Sequence, residues 1–158
     1  MKLLAGLLLV GAATPAHAEW QGFEWGMTEA QVEAARSEIA VYRLETAKPR
    51  KTYPSVSTLG GVWSKDGHEY QLYFYFDADG KLRDIDVEPV SVECSNQNAV
   101  FSDRFGNFEE EVSQLGSAER IVRRWRLGKA AELVTTVLHF PSNDQWICKA
   151  LIKQPVDR

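Results

Sequence analysis

The 158-residue chain is poor in the residue types that most often carry chemistry: it has two cysteines and three histidines, and one of the histidines, His17, falls in a leader segment. The other two, His68 and His139, have no cysteine or second histidine nearby in sequence. The spacing of a zinc site is therefore missing, and no metal is expected. The sequence also lacks a Gly-x-Ser-x-Gly nucleophile elbow, a phosphate-cradling glycine loop and a dinucleotide fingerprint, so no cofactor is expected and the chain reads as a non-enzyme. It has no excess of positive charge, with a formal net charge of −4, which argues against nucleic acid as a partner. No segment approaches about 18 uninterrupted apolar residues, the minimum for a transmembrane span.

The N-terminus is organised as an export signal. Lys2 supplies the positive region, Leu3 to Val10 the apolar core, and Ala16-His17-Ala18 a small-x-small cleavage site. Residues 1–18 are expected to be removed, leaving residues 19–158 as one domain with a net charge of −5. The residue directly after the cleavage site is Glu19 and not cysteine, so lipid acylation is not expected. The predicted location is the periplasm or the exterior, in solution. In such an oxidising compartment the pair Cys94 and Cys148 is predicted to form one structural disulfide.

Periodicity and turn residues then divide the chain. A short helix opens at Thr28 and runs to about Ser37, and residues 39–54, with Pro49 and Pro54, read as a loop holding a short strand near Val41 to Leu44. Three strands follow: one ending at Trp63, His68 to Phe76, and Lys81 to Glu88, the last two joined by Asp77-Ala78-Asp79-Gly80. Asp77, Asp79 and Glu88 match calcium-loop positions, but Lys81 and Leu82 stand where a ligand and a glycine belong, so a hairpin is the better account. A second helix is predicted from Ser95 or Asn96 to Leu115, because Phe101, Phe105, Phe108, Val112 and Leu115 form one helical stripe. Arg120 to Leu127, Leu133 to Phe140 and Gln145 to Lys153 complete the chain as strands. The predicted fold is an α+β two-layer sandwich: an antiparallel sheet of about six strands, two helices on one face, and tandem helix-strand-strand-strand units.

The segment Gly26-Met27-Thr28-Glu29-Ala30-Gln31-Val32 resembles the Gly-Met-Thr-x-x-Gln-Val signature of small exported two-layer modules. These include β-lactamase inhibitory proteins, the small lipoprotein of the outer-membrane barrel assembly machine and, more distantly, PepSY-like domains. The resemblance implies such a module, acting as an inhibitor or an assembly accessory. The same residues also have local work to do. Thr28 as N-cap with Gln31 at N3 completes a capping box, and Met27 and Val32 stand at the positions of a hydrophobic staple.

Strand alternation nominates a surface. Tyr70, Leu72, Phe74 and Phe76 are expected to face the helices, leaving Tyr73 and Tyr75 on the other side beside Asp84, Asp86 and Glu88. In the second half Val134, Leu138 and Phe140 are expected inward, with Arg124, Arg126, Thr135, Val137, His139, Lys149 and Lys153 outward. The candidate binding residues are thus Tyr73, Tyr75, Asp84, Asp86, Arg124, Arg126 and His139, on a face acidic in its first half and basic in its second. Tyrosine and arginine are enriched at protein interfaces, so the expected partner is another envelope or secreted protein. The alternative is an anionic small molecule or envelope polymer bound by Arg124, Arg126, Lys149 and Lys153. Hydrolysis through Asp84 and Asp86 or His139 has no supporting constellation.

Overall fold

The computed structural model describes residues 19–49, 56–65 and 67–155. The predicted signal, residues 1–18, lies outside the described residues. A small hairpin of β1 (Glu19–Trp20) and β2 (Phe23–Glu24) leads into helix α1 (Glu29–Ala34). Four strands follow, β3 (Ala40–Pro49), β4 (Val56–Lys65), β5 (His68–Phe76) and β6 (Leu82–Pro89). A 3-10 turn at Cys94–Asn96 opens helix α2 (Gln97–Phe105), and four more strands end the chain: β7 (Glu109–Leu115), β8 (Ala118–Leu127), β9 (Ala131–Phe140) and β10 (Gln145–Lys153).

The last eight strands form one antiparallel sheet in the order β3-β4-β5-β6-β10-β9-β8-β7. Each half is a helix followed by a four-strand meander, and the two meanders join through their last strands, β6 against β10. The expectation of a six-strand, two-helix α+β sandwich built from units of three strands is therefore corrected. The protein is mostly an eight-stranded antiparallel sheet carrying two short helices of six and nine residues.

Two segments account for the difference. Residues 40–49, predicted as mainly loop, are the edge strand β3. Its pairing with β4 slips between Arg43 and Lys48, and Pro49 is tolerated because an edge strand needs no donor on its outer side. The predicted second helix stops at Phe105 instead of Leu115. Gly106 adopts φ +75° and closes the helix through its N–H to the Ser102 carbonyl, as a left-handed C-terminal glycine does. Beyond it Glu109–Leu115 is a strand, whose Glu110 pairs with Arg123 at 2.5 Å across to β8. Gly116 then starts a two-residue hairpin with φ +61°, the backbone conformation such a tight turn favours in glycine.

Thr28 caps α1 as the sequence implies. Its side chain accepts from the Gln31 N–H, and the Gln31 side chain accepts from the Thr28 N–H at 2.8 Å. The helix ends at Ala34, three residues short of the expected Ser37, and buries Val32 in the core. Six residues cannot hold a helix without such support. Thr28→Ala is expected to lower stability by about 1 kcal/mol, read as a drop in the urea midpoint at unchanged slope.

The core lies between one sheet face and the helices. Trp63 on β4 and Trp125 on β8 are fully buried and meet α2 from opposite halves: Trp63 stacks on Phe105 at 6.4 Å and Trp125 contacts Phe101 at 5.9 Å. Trp20 packs edge-on against Trp63 and Phe23 against Phe74, so the first hairpin covers the same face. Cys94 and Cys148 stand at disulfide distance with Cα atoms 5.6 Å apart, tying the turn before α2 to β10. Among the described residues no helix is long and apolar enough to cross a membrane.

Candidate functional site

The described helices and the first hairpin pack on one side of the sheet, and no described helix lies on the other. Cross-strand register arranges it in rows. Tyr42, Gly60, Tyr73, Asp86, Leu151, Val134, Arg124 and Glu109 are successive partners, one from each of the eight strands. A second row, one pleat along, runs Tyr75, Asp84, Lys153, Glu132, Arg126. Partners in neighbouring strands lie about 4.5 to 5.5 Å apart at Cβ, so side chains distant in sequence share a continuous surface.

Six of the seven residues predicted for the site fall in these two rows: Tyr73, Asp86 and Arg124 in the first, and Tyr75, Asp84 and Arg126 in the second. His139 does not. Leu133 pairs with both Trp125 and Ile152, which places Leu133, Thr135, Val137 and His139 on the core side of the sheet and Val134, Thr136 and Leu138 on the other. The expected orientation of β9 is therefore reversed. Ala-Glu-Leu-Val-Thr-Thr-Val-Leu-His-Phe carries apolar residues in both parities, so the strand's own alternation is ambiguous and a one-residue change of phase inverts every side chain. At its end His139 stacks on Trp146 with ring centroids 4.0 Å apart, and both His139 Nε2 and Trp146 Nε1 approach Asp144 Oδ1, at 3.2 and 3.1 Å.

Burial further divides the six. Tyr75 is 2% exposed, Asp84 6% and Asp86 8%, so these three fill the middle of the face and are not surface contacts. The expected separation into acidic and basic halves is replaced by interleaving. Lys149 reaches Asp86 at 3.7 Å, Lys153 reaches Glu132 at 3.3 Å, and Arg124 reaches Glu111 at 3.7 Å. Burying a carboxylate without such a counter-charge is costly, so the centre of the face reads as a satisfied ionic lattice. Its accessible parts are the aromatic end around Tyr42 and Tyr73 and the far rim around Arg126.

Tyr42 was not among the predicted residues. It is 41% exposed, and its hydroxyl accepts from the Gln71 side-chain amide at 2.7 Å. Its ring lies over Gly60, where a Cβ would come within 2.9 Å of Tyr42 Cζ and of Leu44 Cδ2. A glycine inside a strand weakens it, and here it seats an aromatic ring from the neighbouring edge strand. The signal available in the sequence was the pair Gly60-Gly61 preceding Trp63, since interior glycines mark close approach.

Asp77 accepts backbone N–H bonds from Asp79 and Lys81 at 3.0 and 2.9 Å, fixing the hairpin turn that the sequence indicated there. Among the described residues no group of three or more His, Cys, Asp or Glu side chains is placed to hold a metal ion. Comparisons with known protein families, with characterised proteins and with solved structures find no match to this chain.

Proposed function

We propose that the chain is a non-enzymatic module, exported to the periplasm or beyond, that binds another envelope or secreted protein through the face of the sheet opposite its helices, as an inhibitor or assembly accessory does. The observation that carries this reading is the row of partners from Tyr42 to Glu109 across all eight strands. It presents two tyrosines, Tyr42 and Tyr73, at one end, and tyrosine is among the side chains that most often anchor protein contacts. Tyr42 is held by Gly60 and Gln71, so little side-chain entropy remains to be lost on docking. The resemblance of Gly26–Val32 to exported inhibitor and assembly modules points the same way, and a disulfide suits an oxidising compartment. The polyanion alternative is less favoured, because Lys149, Lys153 and Arg124 are already engaged by carboxylates.

The test is capture from an envelope extract by mature protein and by the double variant Tyr42→Ala, Tyr73→Ala, with circular dichroism to check that both fold. The wild type is expected to retain at least one protein band that the variant recovers at least tenfold less. Equal recovery of every band sinks the proposal. Bands that disappear in proportion to added salt, with the double variant behaving as wild type, favour the polyanion instead.

A further inference from the structure

The sheet ends on two unlike edges. β3, at one end, carries Pro49, which has no N–H, and its pairing slips between Arg43 and Lys48. Helix α1 also reaches it, with Glu29 and Glu33 both engaging Arg43. A proline, an irregularity and charge are the means by which natural edge strands resist further pairing. β7, at the other end, has no proline, no glycine and no break in register from Glu109 to Leu115. Among the described residues it pairs only with β8, and six of its seven residues are exposed. Alternate N–H and C=O groups of such a strand point away from its one neighbour and can pair with another.

Exposed apolar residues gather on this edge. Phe108, Val112 and Leu115 are three of the seven large hydrophobic side chains exposed among the described residues, Val112 at 52% and Leu115 at 59%. Val112 stands beside Ile121 on the helix side of the sheet, and Leu115, three residues on, projects from the other side. Charge is confined to the first three residues of the strand, Glu109, Glu110 and Glu111, and Val112-Ser113-Gln114-Leu115 carries none. Two of the glutamates are held from β8: Glu110 by Arg123 at 2.5 Å, and Glu111 by Arg124 at 3.7 Å and Arg120 at 4.0 Å. A basic strand from another protein would find these two carboxylates already matched.

We infer that β7 pairs with β7 of a second copy of this chain, antiparallel about a two-fold axis at Val112. That register sets Val112 against Val112, Glu111 against Ser113, Glu110 against Gln114 and Glu109 against Leu115, so the acidic half of each strand lies along the uncharged half of the other. No carboxylate directly faces another. A parallel pairing in register would set the three glutamates of each copy side by side, which is unfavourable. Pairing of β7 with β3 would meet the blunted edge and would run on without closing, whereas a two-fold contact closes at two copies. The axis stands perpendicular to the sheet, so both helix layers lie on one side of the dimer and the two opposite faces join on the other. This pairing does not depend on the protein-binding reading above.

The test is sedimentation equilibrium of the mature protein across the micromolar range, with circular dichroism to confirm that each variant folds. A monomer–dimer equilibrium is expected. Val112→Lys, which opposes two ammonium groups at the axis, should weaken it by about tenfold. Gln114→Lys faces Glu110 of the second copy and should tighten the dimer, while Gln114→Glu faces the same carboxylate and should weaken it. Val112→Cys should crosslink two copies on oxidation, and Gln114→Cys, about 14 Å along the strand from its equivalent in this register, should not. A monomer at every concentration overturns the inference, as do assembly beyond a dimer, an unchanged equilibrium with Val112→Lys, the same effect of lysine and glutamate at Gln114, or crosslinking through Gln114→Cys and not through Val112→Cys. The Tyr42→Ala, Tyr73→Ala variant, altered toward the opposite end of the sheet, should dimerise as wild type does, so the edge and the face fail separately.

Discussion

Replacing Cys94 and Cys148 together by alanine is expected to destabilise the protein by about 4 kcal/mol, the chain-entropy value for a loop of this length. The two residues are 54 positions apart, so the bond removes many open conformations from the unfolded chain. In the folded protein it joins the 3-10 turn that starts α2 to the strand at the middle of the sheet. For a domain of this size the loss corresponds to a melting temperature lower by about 10 to 15 °C. Urea unfolding of the wild type with and without reductant should match the variant and the parent respectively. A reduced protein with the midpoint of the oxidised one would show that the bond does not constrain this chain.

Phe101→Ala is expected to cost about 3 to 5 kcal/mol, as for a fully buried aromatic residue. Phe101 is 0% exposed and contacts Tyr70 of β5 at 6.2 Å, Trp125 of β8 at 5.9 Å and Phe105 at 6.3 Å. It therefore fills the point at which the two meanders face the same helix, and no single side chain can move to close the space left behind. Phe108→Ala provides the contrast. Phe108 is 40% exposed and caps Trp125 from the edge of the sheet, so its removal should cost about 1 kcal/mol. Comparable losses for the two would mean that Phe108 contributes more to the core than its exposure implies. Because the disulfide and Phe101 hold neighbouring parts of α2, their losses should not add, and a double-variant cycle should give a coupling above about 0.5 kcal/mol.

The same contrast marks where reading from sequence succeeds. Thr28 with Gln31, the Asp77 to Gly80 turn and the alternation of Tyr70, Leu72 and Phe74 all depend on residues within a few positions of one another, and each appears as expected. The stripe from Phe101 to Leu115 misled because its spacing satisfies a helix throughout, and only the positive φ of Gly106 ends the helix within it. β3 was obscured by Pro49 and its basic residues, because an edge strand is released from the donor and burial requirements that make inner strands recognisable. Tyr42 was lost with it.

What the chain decides locally is which segments turn, cap and extend, together with the side of β5 and β6 that carries apolar residues. It also supplies two cysteines and no others to pair. Tertiary structure decided the rest. Only pairing with Trp125 and Ile152 selects which parity of β9 faces the core, and only the union of β6 with β10 brings Tyr73 and Asp86 into one row with Arg124. A strand's two-residue rhythm specifies that alternate side chains share a side; which side is buried, and beside which neighbour, depends on contacts made with residues far along the chain.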